Sequence, residues 1–163
     1  MNREDQKNLE KQIKGEKALI KLTRILLEIM FYIGIIVLLT LPYSLKLAGK
    51  YYSAEINRFY IPMLIIFFLA GAFGILIIWQ LKKMMKTVIG QNCFVSANVI
   101  SLKRMGTCSF SIAAAFLIKI IFIPTPATFV IILTFFIAGL FCFVLANVFR
   151  EAVRYKEENE LTI

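Results

Sequence analysis

The chain has 163 residues, 60% of them apolar and 18% charged, with a formal net charge of +9 and a mean hydropathy of +0.78. A soluble domain of this length buries one core beneath a largely polar surface, and apolar residues gathered into long blocks exclude that class. With no histidine, and with cysteines only at Cys93, Cys108 and Cys142, a Cys–His zinc site is excluded and a disulfide framework is not expected.

Residues 1–24 are polar and basic, with Leu9, Ile13 and Ile20 near helical spacing and Glu10 four residues before Lys14. They read either as an amphipathic helix on the membrane surface or as a plain tail, since Gly15 interrupts the pattern. No small-residue cleavage site follows the first apolar block, so a cleaved signal peptide is not expected. Four blocks then approach the ~20 residues that cross a ~30 Å hydrocarbon layer: residues 25–41, 59–81, 105–123 and 127–149. Pro42 marks the exit of the first. Tyr51, Tyr52 and Tyr60 around the following loop suit the headgroup level. Trp79 sits at the far end of the second block. Residues 82–104 read as a polar connection, and Pro124-Thr125-Pro126 as a turn too tight for anything but an antiparallel return. Residues 150–163 form a polar tail. The fold class is therefore all-α, a single integral membrane four-helix bundle.

Counting Lys and Arg by side gives fifteen in the N-terminal segment, the 82–104 connection and the C-terminal tail. The opposite side has Lys46, Lys50 and Arg58, and Lys119 lies within a span. This asymmetry predicts a multi-pass protein of the inner (cytoplasmic) membrane with both termini cytoplasmic. It also assigns the basic residues to membrane lipids with anionic headgroups rather than to nucleic acid, for which the aromatic and basic stripe is missing.

Lipid supplies no hydrophobic drive between spans, so they should associate through small residues. The candidates are Ala70, Gly71 and Gly74 in the second span, Ser109 and Ala113 in the third, and Ala138, Cys142 and Ala146 in the fourth. Homo-oligomers are left open. Two ionisable residues fall inside spans and are functional suspects on that ground, Glu28 and Lys119. Glu28 lies in the first turn of its span, whereas Lys119 lies about 21 Å along the third at 1.5 Å per residue, from where it can snorkel outward. An ion pair between them is not expected. Catalysis needs a nucleophile with its base, an acid–base pair or a metal, and none of these sets is visible, so the expectation is a protein without enzyme activity or cofactor.

The connection and the tail carry the remaining information. Ser96 is placed to cap a helix from Ala97 onward, with Val95 and Ile100 spaced as a hydrophobic staple. Phe94, Val95, Val99, Ile100 and Leu102 are more apolar than a solvated loop requires. In the tail, Asn159 is placed to end a helical extension, and Leu161-Thr162-Ile163 is β-prone and could be presented as an added strand. An apolar centre at Phe94 with a basic rim that includes Lys103 and Arg104 has the make-up of a protein-binding patch.

Two stretches carry a family resemblance. Phe94-Val95-Ser96-Ala97-Asn98 and Leu102-Lys103-Arg104-Met105-Gly106, together with the ending Glu158-Asn159-Glu160-Leu161-Thr162-Ile163, resemble the motifs of domain-of-unknown-function family 2975. The four-span layout matches too, which extends the resemblance over essentially the whole chain, although the N-terminal segment is longer and more basic than that family implies. The resemblance implies a bacterial membrane protein without assigned enzyme activity. Its members often stand beside a small helix-turn-helix regulator, which implies a cytoplasmic DNA-binding protein as partner. The partner-facing residues are then Phe94, Val95, Asn98, Leu102, Lys103, Arg104, Asn159, Leu161, Thr162 and Ile163. The alternative is a small transport or immunity protein that binds a peptide or other amphiphile within the bundle.

Overall fold

The computed structural model describes residues 3–51, 58–90 and 92–160. They form four helices: α1 (Arg3–Tyr51), α2 (Tyr60–Ile89), α3 (Ser96–Phe122) and α4 (Pro126–Glu160). Each is long and apolar enough to cross a membrane, over Ala18–Lys50, Tyr60–Ile89, Ser96–Phe122 and Pro126–Asn159. The fold is the expected all-α four-helix bundle.

Helix boundaries differ from expectation in three places. α1 does not stop at Pro42; it runs on to Tyr51 and includes the N-terminal segment from Arg3. A proline removes one backbone bond, but unwinding in a lipid environment would strand several, so the helix continues through it. Its 49 residues rise about 70 Å, more than twice the hydrocarbon thickness. The connection expected at 82–104 shrinks to residues 90–95, because α2 and α3 both extend into it. Met84, Val99 and Leu102 keep the helical period there and pack against Leu145, Ala146, Phe149 and Val153 of α4. Asn159 does not end α4, which continues to Glu160.

Packing is sequential. α1 meets α2, α2 meets α3 and α3 meets α4, with no other close backbone approach between helices among the described residues. The α3–α4 seam is built from glycines receiving aromatic rings. A Cβ on Gly106 would lie 2.8 Å from Phe143 and 3.2 Å from the Gly139 carbonyl, and one on Gly139 would lie 3.1 Å from Phe110. Phe110 in turn stacks with Phe143 at 5.9 Å and meets Phe136 edge-on at 5.3 Å. Ala146 is fully buried in this seam, as the small-residue stripe of α4 implies, with Ala138 and Cys142 partly covered. On α2, Gly71 receives Leu38 of α1, but Gly74 meets nothing within 4 Å and borders a hollow of about 210 Å³.

Candidate partner face and intramembrane polar residues

The turn at 90–95 is held from within. Asn98 is 2% exposed, and its Nδ2 donates to Thr87 Oγ1 and to the Cys93 carbonyl, both at 2.7 Å. The Thr87 hydroxyl donates to the Met84 carbonyl at 2.6 Å. Backbone amides of Gly90 and Asn92 close onto Lys86 and Thr87 carbonyls at 3.1 and 3.0 Å. Buried polar groups that satisfy one another in this way fix one geometry, because each would be costly if left unmade. Ser96 is not the cap it was expected to be. Val95 occupies the cap position and makes no side-chain cap bond, and the Asn98 amide organises the turn instead.

α4 reaches past the basic end of α2 and buttresses this turn. Lys156 Nζ donates to Asn92 Oδ1 at 2.9 Å, and the Phe94 and Phe149 rings lie 5.5 Å apart. Beneath them Val99, Leu102, Ala146 and Val153 form a small core of their own. Arg154 pairs with Glu151 at 3.1 Å and Glu158 at 3.4 Å along the outside of the same helix.

Against this geometry the expected partner-facing residues divide. Phe94, 48% exposed, and Asn159 face outward, and Val95 is half-buried. Asn98 and Leu102 are turned inward and offer no surface to a partner; they hold the turn and the core that display Phe94. Lys103 and Arg104 are exposed but line the groove between α2 and α3, whereas Phe94 lies against α4. The single patch with a basic rim becomes two separate surfaces. Leu161, Thr162 and Ile163 lie outside the described residues.

The two ionisable suspects lie at opposite ends of the bundle. Glu28 accepts from Lys82 Nζ at 2.9 Å, and that ammonium also stands 4.5 Å from the Phe31 ring centroid. The pair ties α1 to the basic end of α2. Sequence reasoning missed it, although Glu28 lies in the first turn of the expected span 25–41 and Lys82 directly follows the expected span 59–81, on the same side of the membrane. Lys119 does not snorkel. It is 6% exposed, and its Nζ donates to Thr128 Oγ1 at 2.7 Å and Thr125 Oγ1 at 3.3 Å. Those hydroxyls come from the turn after α3 (Thr125) and the first turn of α4 (Thr128), so the ammonium is satisfied inside the protein. Among the described residues no cluster of His, Cys, Asp or Glu could hold a metal ion.

Four membrane-length helices, with charge gathered at their ends, define a small multi-pass membrane protein. The chain belongs to the family described as protein of unknown function (DUF2975), whose profile matches residues 47–163. The match covers α2 to α4 and only the last turn of α1, so it is narrower than the whole-chain resemblance read from the motifs. No curated protein and no solved structure matches the chain.

Proposed function

We propose that the protein is a non-enzymatic regulatory element that holds a cytoplasmic protein at the inner membrane, with both termini on the cytoplasmic side. The observation that carries this reading is the layer in which α2, α3 and α4 run past the basic level of Lys82, Lys83, Lys103 and Arg104. There they enclose a core of their own around Leu102 and Val153. A topological connection needs no core. A platform that must present a fixed surface does, and this one displays the half-exposed Phe94 ring against Phe149. Aromatic anchors of this kind dominate protein interfaces. The adjoining end of α4 alternates Arg150, Arg154 and Lys156 with Glu151, Glu157 and Glu158, which suits a mixed-charge partner. A small helix-turn-helix regulator, the partner that the family resemblance implies, is the reading we adopt.

The orientation rests on fifteen basic residues against three. Reporters placed in the 90–95 turn and after Ile163 should read cytoplasmic, and one after Ala54 should read external. For the docking itself, Phe94→Ala should weaken retention of the partner on membranes by about 2 kcal/mol if the ring is an anchor. Removal of residues 161–163 tests the tail in the same assay. Recovery of the same soluble protein by wild type and by both variants from solubilised membranes would rule the platform out.

A second reading has one observation in its favour. A groove of about 550 Å³ between α1 and α2, lined by Leu38, Pro42, Leu64 and Phe68 among others, is large enough for an apolar chain. It would suit the transport or immunity alternative, but its lining carries no polar group to orient a ligand, which places this reading second.

A further inference from the structure

A different groove, of about 450 Å³, opens between α2 and α3 at their basic end. Leu76, Trp79 and Cys108 supply apolar lining, and Lys103 and Arg104 supply charge. Neither cation meets a carboxylate among the described residues, whereas Lys82 and Arg154 do. Gln80 also lines the groove. It is 5% exposed, and its Oε1 is buried with no hydrogen-bond partner. Buried acceptors are satisfied in nearly all native structures, so an orphan beside a groove calls for a donor from outside the chain. Trp79 is half exposed in the same place, and indoles prefer the headgroup level of a bilayer.

We propose that this groove binds one anionic phospholipid whose headgroup carries a hydroxyl, of the phosphatidylglycerol class. The phosphate oxygens accept charge-assisted bonds from Arg104 and Lys103. The headgroup hydroxyl donates to Gln80 Oε1, and an acyl chain lies along Leu76, Trp79 and Cys108. An ethanolamine lipid fits worse, because its ammonium would stand beside two cations and its net charge is zero. A soluble phosphate lacks the chain that the apolar lining requires. The buried, unpartnered amide distinguishes the site from ordinary lipid contact along the bundle, where exposed hydroxyls such as those of Thr40 and Thr134 are bonded within their own helix.

The test is native mass spectrometry of the full chain in detergent, titrated in turn with phosphatidylglycerol, phosphatidylethanolamine and phosphatidylmethanol, which has the charge but no hydroxyl. Wild type should retain one phosphatidylglycerol per chain about tenfold more tightly than phosphatidylethanolamine, whose ammonium the two cations repel. The exposed double variant Lys103→Gln/Arg104→Gln should lose that preference with its melting temperature unchanged. Gln80→Leu, similar in size, should bring phosphatidylglycerol down to the level of phosphatidylmethanol while leaving both above phosphatidylethanolamine. Equal retention of phosphatidylglycerol and phosphatidylethanolamine by wild type, or full retention by the double variant, overturns the site. Equal retention of phosphatidylglycerol and phosphatidylmethanol by wild type overturns the assignment of the hydroxyl to Gln80.

Discussion

α1 and α3 are both apolar enough to cross a membrane, yet they are held in quite different ways. Of the most apolar stretch of α1, 6% is buried inside the protein, against 44% for α3, even though the α1 stretch is the more hydrophobic of the two. α3 packs on two neighbours and α1 on one. Insertion and packing therefore answer to different residues. Partition into lipid follows summed hydropathy, whereas association between helices follows small residues that admit a ring or a backbone, together with polar groups that bond across. α3 has Gly106, Ser109, Ala113 and Asn98 on its buried face. α1 offers Gly34, whose nearest neighbour Ile75 leaves ordinary contact distance, and the Glu28–Lys82 pair at one end. Lipid rather than protein covers most of α1, and the family match leaves nearly all of that helix out.

The contrast breaks most visibly at the α3–α4 seam. Gly106→Val should cost about 3 kcal/mol, at the upper end of overpacking penalties, because the Gly139 carbonyl behind Phe143 cannot give way. Reversible unfolding in mixed micelles measures this, and a loss below about 1 kcal/mol would mean that the seam is as loose as that of α1. Next in size, Asn98→Ala removes the two donors that hold the 90–95 turn. A loss of about 2 kcal/mol is expected, the cost of leaving buried acceptors unmade. Limited proteolysis should then cut between Gly90 and Val95, where wild type resists; an unchanged digestion pattern would deny Asn98 its role. The smallest effect has the opposite sign. Gly74→Ala adds a methyl group where nothing lies within 4 Å and improves helix propensity, so stability should stay level or rise by up to about 1 kcal/mol. A clear loss there would show that α1 approaches α2 more closely than the hollow between them indicates.

The candidate site was legible in part. Phe94 stood out because an exposed phenylalanine beside a polar turn is unusual in any loop, and its exposure follows from that local setting. Asn98 and Leu102 were read as outward because each belongs to a motif on the polar side of the third apolar block. Leu102 turns inward because α4 reaches past that block to cover it, and Asn98 because Thr87 of α2 and the Cys93 carbonyl meet its amide; neither neighbour is encoded in the motif that drew attention to them. Lys119 was misread for a similar reason. A lysine about 21 Å along a span can reach an interface by length alone, but Thr125 of the following turn and Thr128 of α4 lie nearer. Gln80 drew no notice because an uncharged polar residue hardly lowers the hydropathy of a span. What makes it conspicuous is a missing partner, and that is a property of the surroundings.

Hydropathy and length by themselves determined the number of spans, their approximate positions and the antiparallel return at Pro124-Thr125-Pro126. Each of these is settled locally, by how a stretch of chain partitions between lipid and water and by which backbone angles proline allows. Only the tertiary structure decided which helices touch, that Gly106 and Gly139 rather than the Ala138–Cys142 stripe alone carry the tight seam, that Glu28 meets Lys82, and that Phe94 and Arg104 lie on different surfaces. Those outcomes depend on the rotation of each helix about its axis and its shift along its neighbour, which a few cross-helix contacts set jointly.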